Sequence, residues 1–152
     1  MESIDSKVLE GLVRKILNEI ITGNGGCCSD GVRHVDPSGI LSVKLPCIKP
    51  EPFNTGKAGD KVFLKDLVSL EESPRLGFGV MEMDHSSFDW TLNYDEVDYI
   101  IEGRLEILKD GRKIAADKGE VIFIPKGSPI TFSSPGFTRF LYVVYPADWA
   151  NQ

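Results

Sequence analysis

The chain reads as an all-β protein, a jelly-roll β-barrel preceded by an N-terminal amphipathic helix. Three observations predict this. Short apolar runs bounded by turn residues recur from Ile40 to Tyr145 with little helical periodicity. Turn chemistry separates them at Pro37-Ser38-Gly39, Pro50-Glu51-Pro52, Glu72-Ser73-Pro74, Asp110-Gly111 and Pro135-Gly136. Helical periodicity is confined to the N-terminus. Many short strands at such spacing bury their apolar faces only if two sheets close around one interior.

The helix comes first. Val8, Leu9, Leu12, Val13, Ile16, Leu17, Ile20 and Ile21 form pairs recurring every four positions, opposite Lys7, Glu10, Arg14 and Asn18, which predicts an amphipathic helix over residues 1–22. Thr22-Gly23-Asn24-Gly25-Gly26 ends it, and small or polar residues through Gly31 predict a flexible linker over 23–31. The helix either packs on the barrel or serves a partner, as encapsulation peptides do. Residues 32–152 then form the barrel domain. Its strands are expected at Ile40 to Leu45, Lys61 to Leu64, Leu76 to Met83, Val97 to Ile101, Leu105 to Leu108, Val121 to Ile124, Ile130 to Phe132 and Arg139 to Tyr145.

Composition sets the limits. A length of 152 residues with 41% apolar content suffices for one domain with a buried core. A net charge of −6 disfavours nonspecific nucleic-acid binding and anionic membranes. Arg14, Lys15, Asn18 and Glu19 interrupt the apolar helix too often for a bilayer span, and no signal-peptide pattern is present, so a cytoplasmic location is expected. Cys27, Cys28 and Cys47 are too few for a disulfide framework and are expected to be reduced.

The segment from Trp90 to Ser134 carries the chemistry. Glu96 lies seven residues before Gly103, and Gly119 lies six before Pro125-Lys126-Gly127. These are the spacings of the two cupin motifs, and they imply a cupin-like jelly roll. The histidines of those motifs are missing: Trp90 and Leu92 stand where His-x-His is usual, and Ile130 and Ser134 replace the second-motif His and Asn. A three-histidine iron or zinc site is excluded. Gly103 and Gly119 are expected to form tight turns at strand ends.

Strand alternation places Glu96, Asp98 and Ile100 on one face and Val97, Tyr99 and Ile101 on the other. If Glu96 points inward, two carboxylates share one small cavity, and that burial asks for a partner. A hard divalent cation, magnesium or manganese, suits such oxygen ligands. Alternatively the two acids lie near the barrel mouth, solvated or paired with a hydroxyl such as that of Tyr142. Asp95 has the opposite parity and suits an exposed turn. Asp89 and Thr91 reach the pocket only if the register differs by one. Lys126 and Ser128 sit where a turn could offer a cation and a hydroxyl to phosphate, or where a lysine is simply solvated. Gly56-Lys57-Ala58-Gly59-Asp60-Lys61 lacks the Walker A spacing. Cys27, Cys28, His34 and Cys47 match no common zinc pattern, and His85 lies in a polar turn.

Three strings extend the match: Phe88-Asp89-Trp90-Thr91-Leu92-Asn93-Tyr94-Asp95-Glu96-Val97-Asp98, Ile122-Phe123-Ile124-Pro125-Lys126-Gly127-Ser128, and Arg139-Phe140-Leu141-Tyr142 with Tyr145-Pro146-Ala147-Asp148-Trp149. Together they resemble the EutQ family of ethanolamine utilisation proteins, closely from Leu76 to Trp149 and more loosely before it. The resemblance implies a homodimeric cupin of the bacterial microcompartment and an acetate kinase activity on ATP and acetate. Glu96 and Asp98 would then be the catalytic, cation-holding pair, and Lys126 and Ser128 the phosphate contacts. The helix would bind shell proteins, with neither nucleic acid nor membrane as partner. The alternative is a non-catalytic assembly or scaffold protein built on a degenerate cupin, or a small-molecule sensor using the empty barrel.

Overall fold

The computed structural model describes residues 31–151. The expected helix, most of the linker, Cys27 and Cys28 lie outside that range. Two compact units divide the chain, one ending at Cys47 and one beginning at Ile48. In the first, β1 (Arg33–Val35) and β2 (Leu41–Val43) pair antiparallel as an exposed hairpin, closed by Asp36, which accepts from the Ser38 backbone at 2.9 Å. Cys47 is disulfide-bonded, which corrects the expectation of reduced thiols; its partner lies outside the described residues.

The second unit is the barrel, whose strands are β3 (Glu51–Pro52), β4 (Val62–Asp66), β5 (Gly77–Asp84), β6 (Ser87–Leu92), β7 (Asp95–Lys109), β8 (Arg112–Asp117), β9 (Val121–Ile124), β10 (Ser128–Ser133) and β11 (Phe137–Tyr145). All of their pairings are antiparallel. Strand β7 belongs to both walls. Its first half pairs with β11 and β9, and its second half pairs with β8 and β10.

The change of wall happens at a bulge. Arg139 pairs with Glu102 and Phe140 with Ile100, so Ile101 is an extra residue on β7. Gly103 follows it with φ +73°, and a Cβ there would sit 2.0 Å from the Phe137 carbonyl oxygen. This corrects the expectation of a tight turn at Gly103: the strand bends and continues, fusing two expected strands into one. Gly119, at φ +89°, does lie in a turn. Asp110 (φ 51°) and Gly111 (φ 74°) form the two-residue hairpin between β7 and β8, whose paired positive φ values match the twist of the flanking strands.

The core fills from both walls. Val62, Met81, Met83, Phe140 and Val144 face Phe88, Leu92, Leu105, Ile107, Ile130 and Phe132. β6 and β8 differ from the expected strands, because Ser87–Leu92 and Arg112–Asp117 are rich in polar residues; β6 alternates around Phe88, Trp90 and Leu92, while β8 is exposed except at Ala115 and Ala116.

Candidate functional site

Glu96 and Asp98 lie on the first half of β7, flanked by inward ladders. Glu96 pairs with Val144 and Ile124, and Asp98 with Tyr142 and Ile122. Both acids point inside, at 6% and 0% exposure, with Ile100 beside them at 0%. On the outer face of the same strands Val97, Tyr99, Val121 and Phe123 are exposed. The inversion expected from the sequence, acids inward and apolar residues outward, is therefore real.

The acids answer each other. Their side chains lie within hydrogen-bonding reach, and apart from Glu96 no described group reaches either oxygen of Asp98. Burial pushes Glu96 up to about 7, with the hydrogen bond from Asp98 acting against it. Burial, and then the adjacent Glu96 charge, hold Asp98 well above the ordinary carboxylate range. Two carboxylates this close cannot both ionise cheaply in a dry site, so the pair retains a proton.

The surrounding walls are aromatic. Glu96 borders a cavity with Phe53, Phe88, Trp90, Tyr94, Phe132 and Trp149, and the space open to the centre of a water molecule is about 20 Å³. That is room for about one water or one similar group. Trp90 packs edge-on to Phe53 at 5.8 Å and tilts over Trp149 at 6.3 Å, while Tyr94 meets Trp149 at 6.0 Å. The Trp90 Nε1–H donates to Tyr94 Oη at 2.9 Å. Tyr142 lines the same cavity, but its hydroxyl donates to Asp66 Oδ1 at 2.5 Å rather than to either central acid. Gly79 makes this possible, since a Cβ there would fall 2.1 Å from the Tyr142 hydroxyl.

The remaining expected residues disperse. Asp89 and Thr91 are exposed on β6, and Asp89 Oδ1 accepts from Thr131 Oγ1 at 2.5 Å, so the one-residue register alternative does not hold. Trp90 and Leu92 take the inward positions instead, filling with ring and aliphatic chain the places where His-x-His is usual. Asp95 Oδ1 accepts from the Lys126 backbone at 2.7 Å and so fixes the turn. The Lys126 side chain is exposed and Ser128 is buried, and neither lines the cavity with Glu96. His85 is exposed, with Nδ1 2.6 Å from Asp84.

The acid pair meets a divalent ion halfway. Two carboxylates are the right hard donors, and the unpartnered Asp98 oxygens call for positive charge. Among the described residues no cluster of three His, Cys, Asp or Glu side chains exists, and the cavity has no room for a shell of waters. The site does not fit a resident, fully coordinated ion.

Sequence reasoning missed Tyr94, Phe53, Trp149 and Asp66. Tyr94 shares the parity of Glu96 and could have been found that way. The others come from distant segments and carry no local signal.

A family model described as ethanolamine utilisation protein EutQ matches residues 4–151. The chain belongs to the EutQ family. A relative from Clostridioides difficile (strain 630), named acetate kinase EutQ, is 55% identical over 155 residues, covering 100% of this chain and 98% of its own. Another of that name, from Salmonella typhimurium, is 38% identical and covers 86% of this chain, which spans only 51% of that longer protein. The solved structure of the Clostridium difficile EutQ protein superposes with a TM-score of 0.78 at 60% identity, over 80% of this chain and 90% of that one. At 17% identity, the cupin domain of Cnp3 from Schizosaccharomyces pombe superposes with a TM-score of 0.58 over 72% of this chain and 77% of its own. That likeness establishes the cupin fold. EutQ membership places the chain in ethanolamine utilisation. Among the described residues no helix is long and apolar enough to cross a membrane.

Proposed function

We propose that this EutQ protein is an acetate kinase-type phosphotransferase of ethanolamine catabolism, moving a phosphoryl group between ATP and acetate. Relatives of 38% and 55% identity carry that name. The observation that carries the reading to this chain is the buried Glu96–Asp98 pair, two uncompensated acids in a barrel that has lost its histidines. Glu96 and Asp98 would hold a divalent ion, magnesium or manganese, that arrives with the nucleotide and is completed by phosphate oxygens. Such an ion neutralises charge on the transferring group. The aromatic walls exclude water, and the acetate carboxylate is already a nucleophile. Lys126 and Ser128 would contribute to phosphate binding only if the β9–β10 turn moves toward the cavity.

A coupled assay for acetyl phosphate tests this. Glu96→Gln should lower turnover at least about a hundredfold while the barrel stays folded, and unchanged turnover would remove Glu96 from the site. A non-catalytic assembly role is the other reading, in which the N-terminal segment recruits the barrel to a microcompartment shell; deleting residues 1–26 should then abolish shell association. The exposed Val97, Tyr99, Val121 and Phe123 face supports homodimerisation through the outer wall. Tyr99→Glu should shift sedimentation toward the monomer.

A further inference from the structure

We propose that Trp149 is the lid of the Glu96 cavity, and that the groove behind it is the entrance and outer half of the ligand site. The inference rests on reading this cavity as a ligand site and not on phosphotransfer itself. Size makes a moving wall necessary. With about 20 Å³ free the cavity takes one water, so an organic ligand reaches Glu96 only if a wall side chain withdraws.

Three larger grooves adjoin the cavity, and each shares a single lining residue with it. Phe88 borders a groove of about 440 Å³ beside Lys57, Trp90 one of about 430 Å³ beside Lys109, and Trp149 one of about 290 Å³ beside Asp66. The fold holds these three partitions unequally. Phe88 is 4% exposed and sits mid-strand on β6, paired with Phe132 and with its ring stacked on that residue at 5.3 Å. Trp90 is on the same ladder, paired with Ile130, and its indole N–H donates to Tyr94 Oη at 2.9 Å. Trp149 instead opens a 3-10 turn (Trp149–Asn151) that belongs to no strand. Its ring meets those of Trp90 at 6.3 Å and Tyr94 at 6.0 Å in tilted and edge-on contacts. The turn also closes on itself, with the Asn151 N–H donating to the Asp148 carbonyl at 3.3 Å and Asn151 Nδ2 to Asp148 Oδ1 at 2.6 Å. Swinging this turn outward moves backbone that no ladder pins, and it joins the groove to the cavity.

The joined space approaches the size of a small-ligand pocket, and its walls set the class of occupant. Asp66 and Asp148 bring negative charge, Ser69, Ser73 and Asn151 are polar, and no basic residue lines either half. The space therefore suits a small polar molecule that is neutral or carries its own cation, and it disfavours a bare anion.

Thiol labelling of the full chain, without nucleotide or divalent ion, provides the test. Glu96→Cys puts a thiol on the cavity wall, and the tryptic peptide that reports it, residues 76–104, contains no native cysteine. Methyl methanethiosulfonate followed by mass spectrometry measures access. With Trp149 intact the rate should be nearly independent of urea below the unfolding transition, because opening moves one turn and not the barrel. Adding Trp149→Leu should raise the rate at least about tenfold, and adding Trp90→Leu should raise it far less. Should Trp149→Leu fail to fold, Trp149→Phe carries the same expectation of direction. At an ionic strength that screens the net charge, the aminoethyl methanethiosulfonate should still outpace the sulfonatoethyl reagent, each relative to its rate with a free thiol. A rate that follows global unfolding, no gain from the Trp149 variant, an equal gain from Trp90→Leu, or a sulfonatoethyl reagent as fast as its counterpart would overturn the proposal. Labelling as expected in a protein that makes no acetyl phosphate would count against the kinase reading alone, and acetyl phosphate synthesis with labelling insensitive to Trp149 against this one alone.

Discussion

Strand β7 buries acids in both of its halves and treats them in opposite ways. In the second half, Glu106 is 7% exposed, yet Lys113 Nζ lies 2.7 Å from it and Arg104 Nε 3.4 Å. The Lys113 hydrogen bond outweighs burial and holds Glu106 below its ordinary value. In the first half Glu96 and Asp98 have only each other, and burial raises both. Two things separate the acids: Glu106 is covered by exposed basic side chains at the barrel surface, whereas Glu96 and Asp98 are sunk in the core with no opposite charge beside them. A structural acid is given its counter-ion by the fold. The Glu96–Asp98 pair has no counter-ion among the described residues and holds on to a proton instead.

Gly103 keeps the two halves apart, and it offers the most forceful way to break the contrast. Alanine there would need a rarely populated positive φ and would drive its Cβ into the Phe137 carbonyl, a backbone atom that cannot swing aside. Gly103→Ala should cost about 3 kcal/mol, the sum of backbone strain and overpacking. Urea denaturation measures this loss. A change below about 1 kcal/mol would mean that the bulge is soft and the two halves are not held independently.

The next test separates the acids by the sign of their pH dependence. Glu96 binds its proton more tightly folded than unfolded, so its contribution to stability is complete below about 4.5 and is lost as pH rises through about 7. Glu106 behaves the other way: its contribution is present above 4.5 and is lost as pH falls through its lowered folded value. Between pH 5 and pH 8 the ligand-free protein should lose stability on the order of 1–3 kcal/mol through the central pair. Glu96→Gln should recover much of that at pH 8 and little at pH 5, since it removes the group that must ionise in the core across this range. Thermal unfolding across this range checks both statements, and a flat profile would show that the pair is compensated after all.

How much of this contrast was readable in advance follows from where its information lies. The spacing of Glu96, Gly103, Gly119, Pro125 and Gly127 is local, and strand parity then put Glu96 and Asp98 on one face without any tertiary knowledge. The counter-ions are not local. Lys113 reaches Glu106 across the β7–β8 pairing, and neither β8 nor its register is suggested by the polar run Arg112–Asp117. The aromatic walls are similarly hidden, because Phe53, Trp90 and Trp149 meet only when the barrel closes. Gly103 was misread for a related reason. A glycine after a strand suggests a turn until the partner strand shows that pairing continues beyond it.

The smallest expected effect sharpens the comparison most. Glu106→Gln removes an acid that has little solvent access but lies at the surface, beneath exposed partners: the side chains of Lys113 and Arg104 are 55% and 43% accessible. Solvent screens those pairs, so the loss at pH 7 should stay below about 1 kcal/mol and shrink further in high salt. Lys113→Gln should cost a similar amount, and the double variant little more than either single one, because each change removes the same interaction. As pH falls through the lowered folded value of Glu106, the Glu106→Gln difference should fade as the native glutamate takes up its own proton. Glu96→Gln should do the reverse, stabilising at pH 8 and changing little at pH 5. If both substitutions move stability in the same direction at pH 8, the two halves of β7 handle buried charge alike, and the case for Glu96 and Asp98 as a ligand site loses its physical basis.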